Sequence, residues 1–140
     1  MIEPKQIINE RDAGYMRIAY VSHWNEALSE TVNRFGLEHH ERLVRVDREK
    51  AAAIIAALLS KDMAYRRPLK SISSAPSYAE GLLANFPEAA STFYTNAFWD
   101  EYFQSTSFSF SGVIGSATFD GGVIAVTTGL ALCVWFEDED

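Results

Sequence analysis

Three histidines, one cysteine and nineteen carboxylates are the side chains of this 140-residue chain that could ligate a metal, attack a substrate or carry a proton. Two histidines on one helix face chelate zinc when they stand about four residues apart, so the adjacent pair His39-His40 does not qualify. It reads as part of a surface loop, and His23, beside Trp24, reads as a helix-start residue. The single cysteine, Cys133, excludes an internal disulfide and a cysteine-based zinc site. It lies between Leu132 and Val134 with no cation nearby to lower its pKa, which predicts an inert strand residue rather than a reactive thiol. There is no Gly-x-Ser-x-Gly nucleophile elbow. Gly112-Val113-Ile114-Gly115 and Gly121-Gly122 lack the lysine of a phosphate loop and the dinucleotide fingerprint. No catalytic, cofactor-binding or metal-binding residue is therefore assigned, and the expectation is a protein without enzymatic activity.

The carboxylates are more informative. Glu137-Asp138-Glu139-Asp140 has enough oxygens for a divalent cation but lacks the glycine and alternation of a calcium loop. Along an extended strand these side chains also point to opposite faces. The run reads as a solvated tail, with Glu137 and Asp138 as its candidate partner contacts. Phe98-Trp99-Asp100-Glu101-Tyr102-Phe103 packs four aromatics around two acids. In regular structure these cannot all face one core, so some aromatic surface should lie beside the acids. Aromatic anchors flanked by carboxylates suit contact with a basic protein. Trp99, Asp100, Glu101 and Tyr102 are the remaining candidate partner-binding residues.

Net charge is −7, and it is unevenly spread. All twelve Lys and Arg lie in residues 1–70 with ten acids; residues 71–140 hold nine acids and no Lys or Arg. Thirteen of the eighteen aromatics are also in the second half. An acidic surface repels a phosphate backbone, which argues against direct nucleic-acid binding. It attracts basic proteins and speeds their association. The blander reading of the same charge is a surface that keeps the protein in solution.

Elements must position these groups. Length and an even spread of Pro, Gly and Ser predict one domain over residues 1–140. Tyr15 to Val21 fits a strand or the lead-in to a helix. Ser22 is read as the cap of a helix whose Trp24, Leu28, Val32 and Phe35 form one apolar stripe, stopped by Gly36. Leu43 to Val46 is a short strand candidate. Asp47 caps the clearest helix, whose block Ala51 to Leu59 is apolar nearly all round and so central to the core; it runs to about Ala64 or Tyr65. Ser77-Tyr78-Ala79-Glu80 has the capping-box pattern and starts a helix ending at Pro87. Ser91 to Tyr94, Ser105 to Gly112 and Ala117 to Thr127 are strand candidates, the last with a bulge or tight bend at Asp120-Gly121-Gly122. Thr127-Thr128-Gly129 then turns into a final strand, Leu130 to Phe136. The fold class expected is α+β, with N-terminal helices packed on a C-terminal antiparallel sheet.

The run Ala117-Thr118-Phe119-Asp120-Gly121-Gly122-Val123-Ile124-Ala125-Val126, followed by Val134-Trp135-Phe136-Glu137-Asp138-Glu139-Asp140, resembles the ending of small bacterial immunity proteins. These are the partners of polymorphic toxins, including those of contact-dependent growth inhibition. Ala51 to Tyr65 is similar to a helix upstream in such proteins, and Phe93-Tyr94-Thr95-Asn96 fits the same pattern. The close match covers about twenty-five residues, and its motifs are structural rather than chemical. The resemblance implies a cytoplasmic antidote that binds and occludes a cognate toxin C-terminal domain, with no cofactor. Many such toxins act on nucleic acid and need basic clefts, which an acidic protein could block. Two other classes stay open: a small enzyme with a dispersed Asp, Glu and His site, and an acidic adaptor for basic proteins. The start Met1-Ile2-Glu3-Pro4 lacks the basic and apolar pattern of a signal peptide, and no run approaches the ~20 apolar residues of a membrane helix, so no membrane partner is expected.

Overall fold

The two longest of the described strands, nine residues each, are neighbours inside a five-stranded antiparallel sheet. In the computed structural model, which describes Ile7 and residues 14–23, 26–60, 68–69, 73–99, 108–110 and 119–138, β1 spans Tyr15–Val21. It is followed by helix α1 (Leu28–Arg34), β2 (Val44–Val46), α2 (Arg48–Ser60), α3 (Ala75–Leu82) and β3 (Thr92–Thr95). Then come β4 (Ala97–Trp99), β5 (Phe108–Phe110), β6 (Phe119–Thr127) and β7 (Leu130–Asp138). The main sheet has the order β1-β7-β6-β3-β2, and β4 and β5 form a separate two-stranded sheet. This is the expected α+β class, with the C-terminal strands building the sheet and one N-terminal strand, β1, closing its edge against β7.

Alternation along the strands sorts two faces. Met16, Val123, Ala125, Leu132, Val134, Phe136 and Phe93 point to the face covered by α2 and α3. There they meet Ile54, Ile55, Leu58, Leu59, Tyr78, Leu82 and Phe86. Ile124, Ala131, Cys133 and Trp135 point to the other face, where Val32, Phe35 and Leu37 of the α1 region cover them. Helices on both sides explain why β6 and β7 are apolar at successive positions, a pattern that a sheet with one wet face does not need.

The helix α2 matches its expectation: Ala51, Ile54, Ile55, Leu58 and Leu59 are buried, and Asp47 Oδ1 accepts the backbone N–H of Lys50 at 2.7 Å as an N-cap does. Its expected continuation to Ala64 or Tyr65 lies outside the described residues. Two helix starts differ from the sequence reading. The first helix begins at Leu28, after Ala27, so Ser22 is not its cap; Trp24 and Asn25 lie outside the described residues. The helix α3 begins at Ala75, one turn before the Ser77 pattern, because Pro76 is well placed in a first turn whose N–H groups have no helical acceptor. Gly36 does stop α1. With φ +78° it allows its own N–H to reach Asn33 O at 2.9 Å and that of Leu37 to reach Val32 O at 3.1 Å, the double bond of a Schellman ending.

The bend expected at Asp120-Gly121-Gly122 is absent. The β6–β7 ladder runs unbroken from Phe119↔Asp138 to Thr127↔Leu130. Gly122 serves a different need. It faces Trp135, and a Cβ there would stand 2.0 Å from Val134 O and 2.9 Å from the indole ring. The hairpin turn is as expected, with Gly129 at φ +82°. Among the described residues no helix is long and apolar enough to cross a membrane.

Candidate partner-binding surfaces

Two of the sequence candidates, Glu137 and Asp138, lie at one end of the sheet, where β1 begins, β7 ends and β6 begins. The register sets Glu137 opposite both Asp120 and Tyr15, and Trp135 opposite both Arg17 and Gly122. By alternation Tyr15, Arg17, Asp120, Trp135 and Glu137 share a face. Trp99 closes β4; Asp100, Glu101 and Tyr102 lie outside the described residues, as do Glu139 and Asp140.

The expectation of a solvated acidic tail does not hold at Glu137 and Asp138. Both are strand residues, and Asp138 is only 2% exposed. Its carboxylate lies over Gly14, whose φ of +59° and missing Cβ leave the space: a Cβ there would be 2.0 Å from Asp138 Oδ1. Glu137 is half-buried and faces Arg17, with Nη2 and Oε2 3.6 Å apart. Arg17 Nη1 also donates to Phe35 O at 2.9 Å, and the guanidinium stands 5.8 Å from the Tyr15 ring centroid. Arg17 therefore joins the end of α1, where carbonyls point outward and favour a cation, to the acid of β7. Tyr15, 59% exposed, offers a large side chain to solvent at this end.

Asp120, at 2% exposure, accepts the Trp135 indole N–H at 3.0 Å. Among the described residues, part of the acid excess of the second half is therefore enclosed and not displayed on the surface. Of its described acids, Asp120 and Asp138 are buried and Glu137 faces an arginine from the first half. Glu80 and Glu88 are the exposed ones.

Those two take part in a second feature, which sequence reasoning missed. Asp47, Arg48, Glu49, Glu80 and Glu88 line an open notch of about 450 Å³ where α2 begins beside α3. Its arginine is held internally. Arg48 Nε donates to Phe86 O at 3.0 Å, Nη2 to Leu83 O at 3.1 Å and Nη1 to Glu80 at 2.9 Å. The Arg48 backbone N–H donates to Glu88 Oε2 at 2.7 Å. Four carboxylates thus surround one guanidinium whose donors already point at protein acceptors, leaving the notch a negative field. Asp47 was readable as a cap, but no local pattern links residues forty positions apart.

His39 and His40 lie at the surface as expected, where His40 opens a short 3₁₀ turn to Arg42, whereas His23 stands five residues before the helix that begins at Leu28 and is not the helix-start residue expected. His39 and His40 are exposed, and His39 takes φ +57° with Nδ1 3.1 Å from Glu41 Oε1. Hydrogen bonds from its own backbone N–H and from His39 hold the Glu41 carboxyl below its ordinary range. His23 Nδ1 lies 3.3 Å from the Thr31 hydroxyl. Cys133 is 1% exposed, and burial pushes its thiol up to about 12 against a small opposing effect of Arg17. Comparison with protein-family models, with curated proteins and with solved structures finds no match to this chain.

Proposed function

We propose that this chain is a non-catalytic immunity protein of the contact-dependent growth inhibition kind, which binds a basic toxin domain in the cytoplasm and blocks it by occlusion. The observation that carries the reading is the notch of Asp47, Glu49, Glu80 and Glu88, whose Arg48 is engaged by Leu83, Phe86 and Glu80. A concave surface with surplus carboxylates favours lysine and arginine side chains of a partner and repels phosphate. The resemblance of the C-terminal strands to immunity proteins supplies the class of partner. The acidic and aromatic run Trp99, Asp100, Glu101 and Tyr102 supplies anchors of the kind interfaces use.

The test is co-expression with the product of the adjacent reading frame, followed by affinity capture and a growth assay. A stable complex together with rescue of growth supports the reading. Capture of many unrelated basic proteins that moderate salt releases favours an adaptor instead. No complex, no rescue and saturable turnover of a small molecule by the purified chain overturns it in favour of an enzyme.

A further inference from the structure

We infer that the outer edge of β2 and the notch beside it form one docking surface for an extended segment of a partner, added as a further strand with a lysine or arginine at the end that enters the notch. β2 stands last in the order β1-β7-β6-β3-β2, and its inner side is paired with β3 (Val44↔Thr95, Arg45↔Tyr94, Val46↔Phe93). Its side chains meet solvent: Val44 is 43% exposed, and Arg45 is exposed as well. An edge strand turns alternate backbone N–H and C=O groups away from its one partner, and these are a template on which an extended peptide can add.

The chain leads from this edge straight into the acids. Val46 is followed by Asp47, which caps α2, and then by Arg48 and Glu49 in the first turn. Glu88 accepts the Arg48 backbone N–H at 2.7 Å, and Glu80 accepts from its guanidinium at 2.9 Å. The notch lined by these residues thus begins where the β2 ladder ends. Alternation defines what the segment must carry. Val46, opposite Phe93, packs toward α2 and α3, and Val44 shares that face; Arg45 is opposite Tyr94, which packs on the α1 side. An antiparallel segment therefore needs apolar residues facing Val46 and Val44 and a carboxylate between them facing Arg45. It needs a basic residue one or two positions before the first apolar one, where it meets Asp47 and the notch. The same pattern disfavours a second copy of this chain as the occupant. Pairing β2 with itself about Arg45 sets two arginines opposite each other, and the two notches carry the same sign. The basic toxin domain proposed above supplies the segment; the docking mode rests on that reading for the partner's identity and names the part of the partner that binds.

The test uses synthetic peptides and no toxin, so the two can fail separately. An acetylated, amidated Lys-Lys-Val-Glu-Val-Thr peptide is titrated to low-millimolar concentration into the isotope-labelled full chain, and amide shifts are followed. Saturable shifts at residues 44–46 together with 47–49 are expected. N-methylation of the Val-Glu-Val amides, which removes the strand donors and keeps the charge, should weaken binding about tenfold or more, as should the charge-inverted Glu-Glu-Val-Lys-Val-Thr peptide. Glu49→Lys, at an exposed carboxylate of the notch, should weaken the first peptide likewise. Absence of saturable shifts overturns the inference. So does binding that survives N-methylation or charge inversion, and so does a dimer of the free chain, seen by sedimentation, in which the amides of 44–46 are protected from exchange.

Discussion

The indole N–H of Trp135 donates to the carboxylate of Asp120 at 3.0 Å, two fully enclosed side chains on neighbouring strands, with Gly122 leaving the space the ring occupies. This relationship explains the Asp120-Gly121-Gly122 sequence better than a bend does. A buried carboxylate needs donors, a buried indole needs an acceptor, and the ring fits because its cross-strand neighbour has no side chain.

Gly122→Ala should therefore destabilise the fold by about 1–3 kcal/mol, because the added methyl meets backbone at 2.0 Å and not a flexible side chain. Trp135→Phe should cost at least about 1–3 kcal/mol by removing a donor from the enclosed carboxylate. Urea melts of both variants measure this; wild-type midpoints would contradict it.

Ile55→Ala and Leu58→Ala remove side chains that are 0% and 3% exposed from the face of α2 packed on the sheet. Each should cost about 2–5 kcal/mol. Ala53→Ser, on the exposed side of the same helix, should change the thermal midpoint by a degree or so.

Arg48→Ala leaves the carbonyls of Leu83 and Phe86 without this donor, and a loss of about 1–3 kcal/mol is expected. Arg48→Lys should restore little, because one ammonium cannot span acceptors that the planar fork meets separately. Glu80→Gln, at an exposed carboxylate, should cost under about 1 kcal/mol. Differential scanning fluorimetry that ranks the three otherwise would show that the fork is not what joins α2 to α3.

Cys133 makes stability fall at alkaline pH. Its folded thiol holds its proton up to about pH 12, while an unfolded thiol releases it near 9. The folded state thus binds more protons in that window. The contribution is complete below about pH 9 and is lost as pH rises toward 12. Burial raises the Tyr20 phenol as well, in the same direction. Cys133→Ala should flatten the alkaline part of the stability curve, and the native thiol should resist alkylation at pH 8 until the chain unfolds.

For the proposed interface, Asp100→Lys with Glu101→Lys should weaken toxin binding more than Glu38→Lys with Glu41→Lys, and more than neutralisation at the same two sites. Folding of each variant is checked first by circular dichroism. Equal affinity of the Asp100/Glu101 variant and the wild type in titration calorimetry would remove this run from the interface. Reversal at Asp138 is a poor probe, since a buried lysine there tests folding instead.

Much of the fold was legible because it follows from short-range patterns. The apolar block from Ala51, the cap at Asp47, the stop at Gly36 and the hairpin around Gly129 each carry their own local signal. The starts of α1 and α3 differ from the sequence reading because Ser22 and Ser77 look like caps, while α1 begins after Ala27 with no side-chain cap and α3 begins at Ala75 with Pro76 in its first turn. The surfaces were harder to read. Arg17 reaching Glu137, and Arg48 reaching Glu80, Leu83 and Phe86, depend on which strands and helices become neighbours, and the charge tally by halves of the sequence carried no such information.

The strand order has a consequence for how the molecule is made. The β6–β7 hairpin can form by itself, since its strands are joined by two residues, Thr128 and Gly129. Its outer neighbour β1, by contrast, pairs with β7 across a separation of roughly 110–120 residues, from Val21↔Ala131 to Tyr15↔Glu137. On the ribosome β1 emerges more than a hundred residues ahead of β7 and must wait for its ladder partner to be made. Until then β7, once made, has an uncovered edge of Leu, Val, Trp and Phe, the kind of segment that recruits foreign strands. Closure of β1 onto β7 is thus the step that pairs this edge and leaves β1, with Arg17 in its middle, as the outer strand.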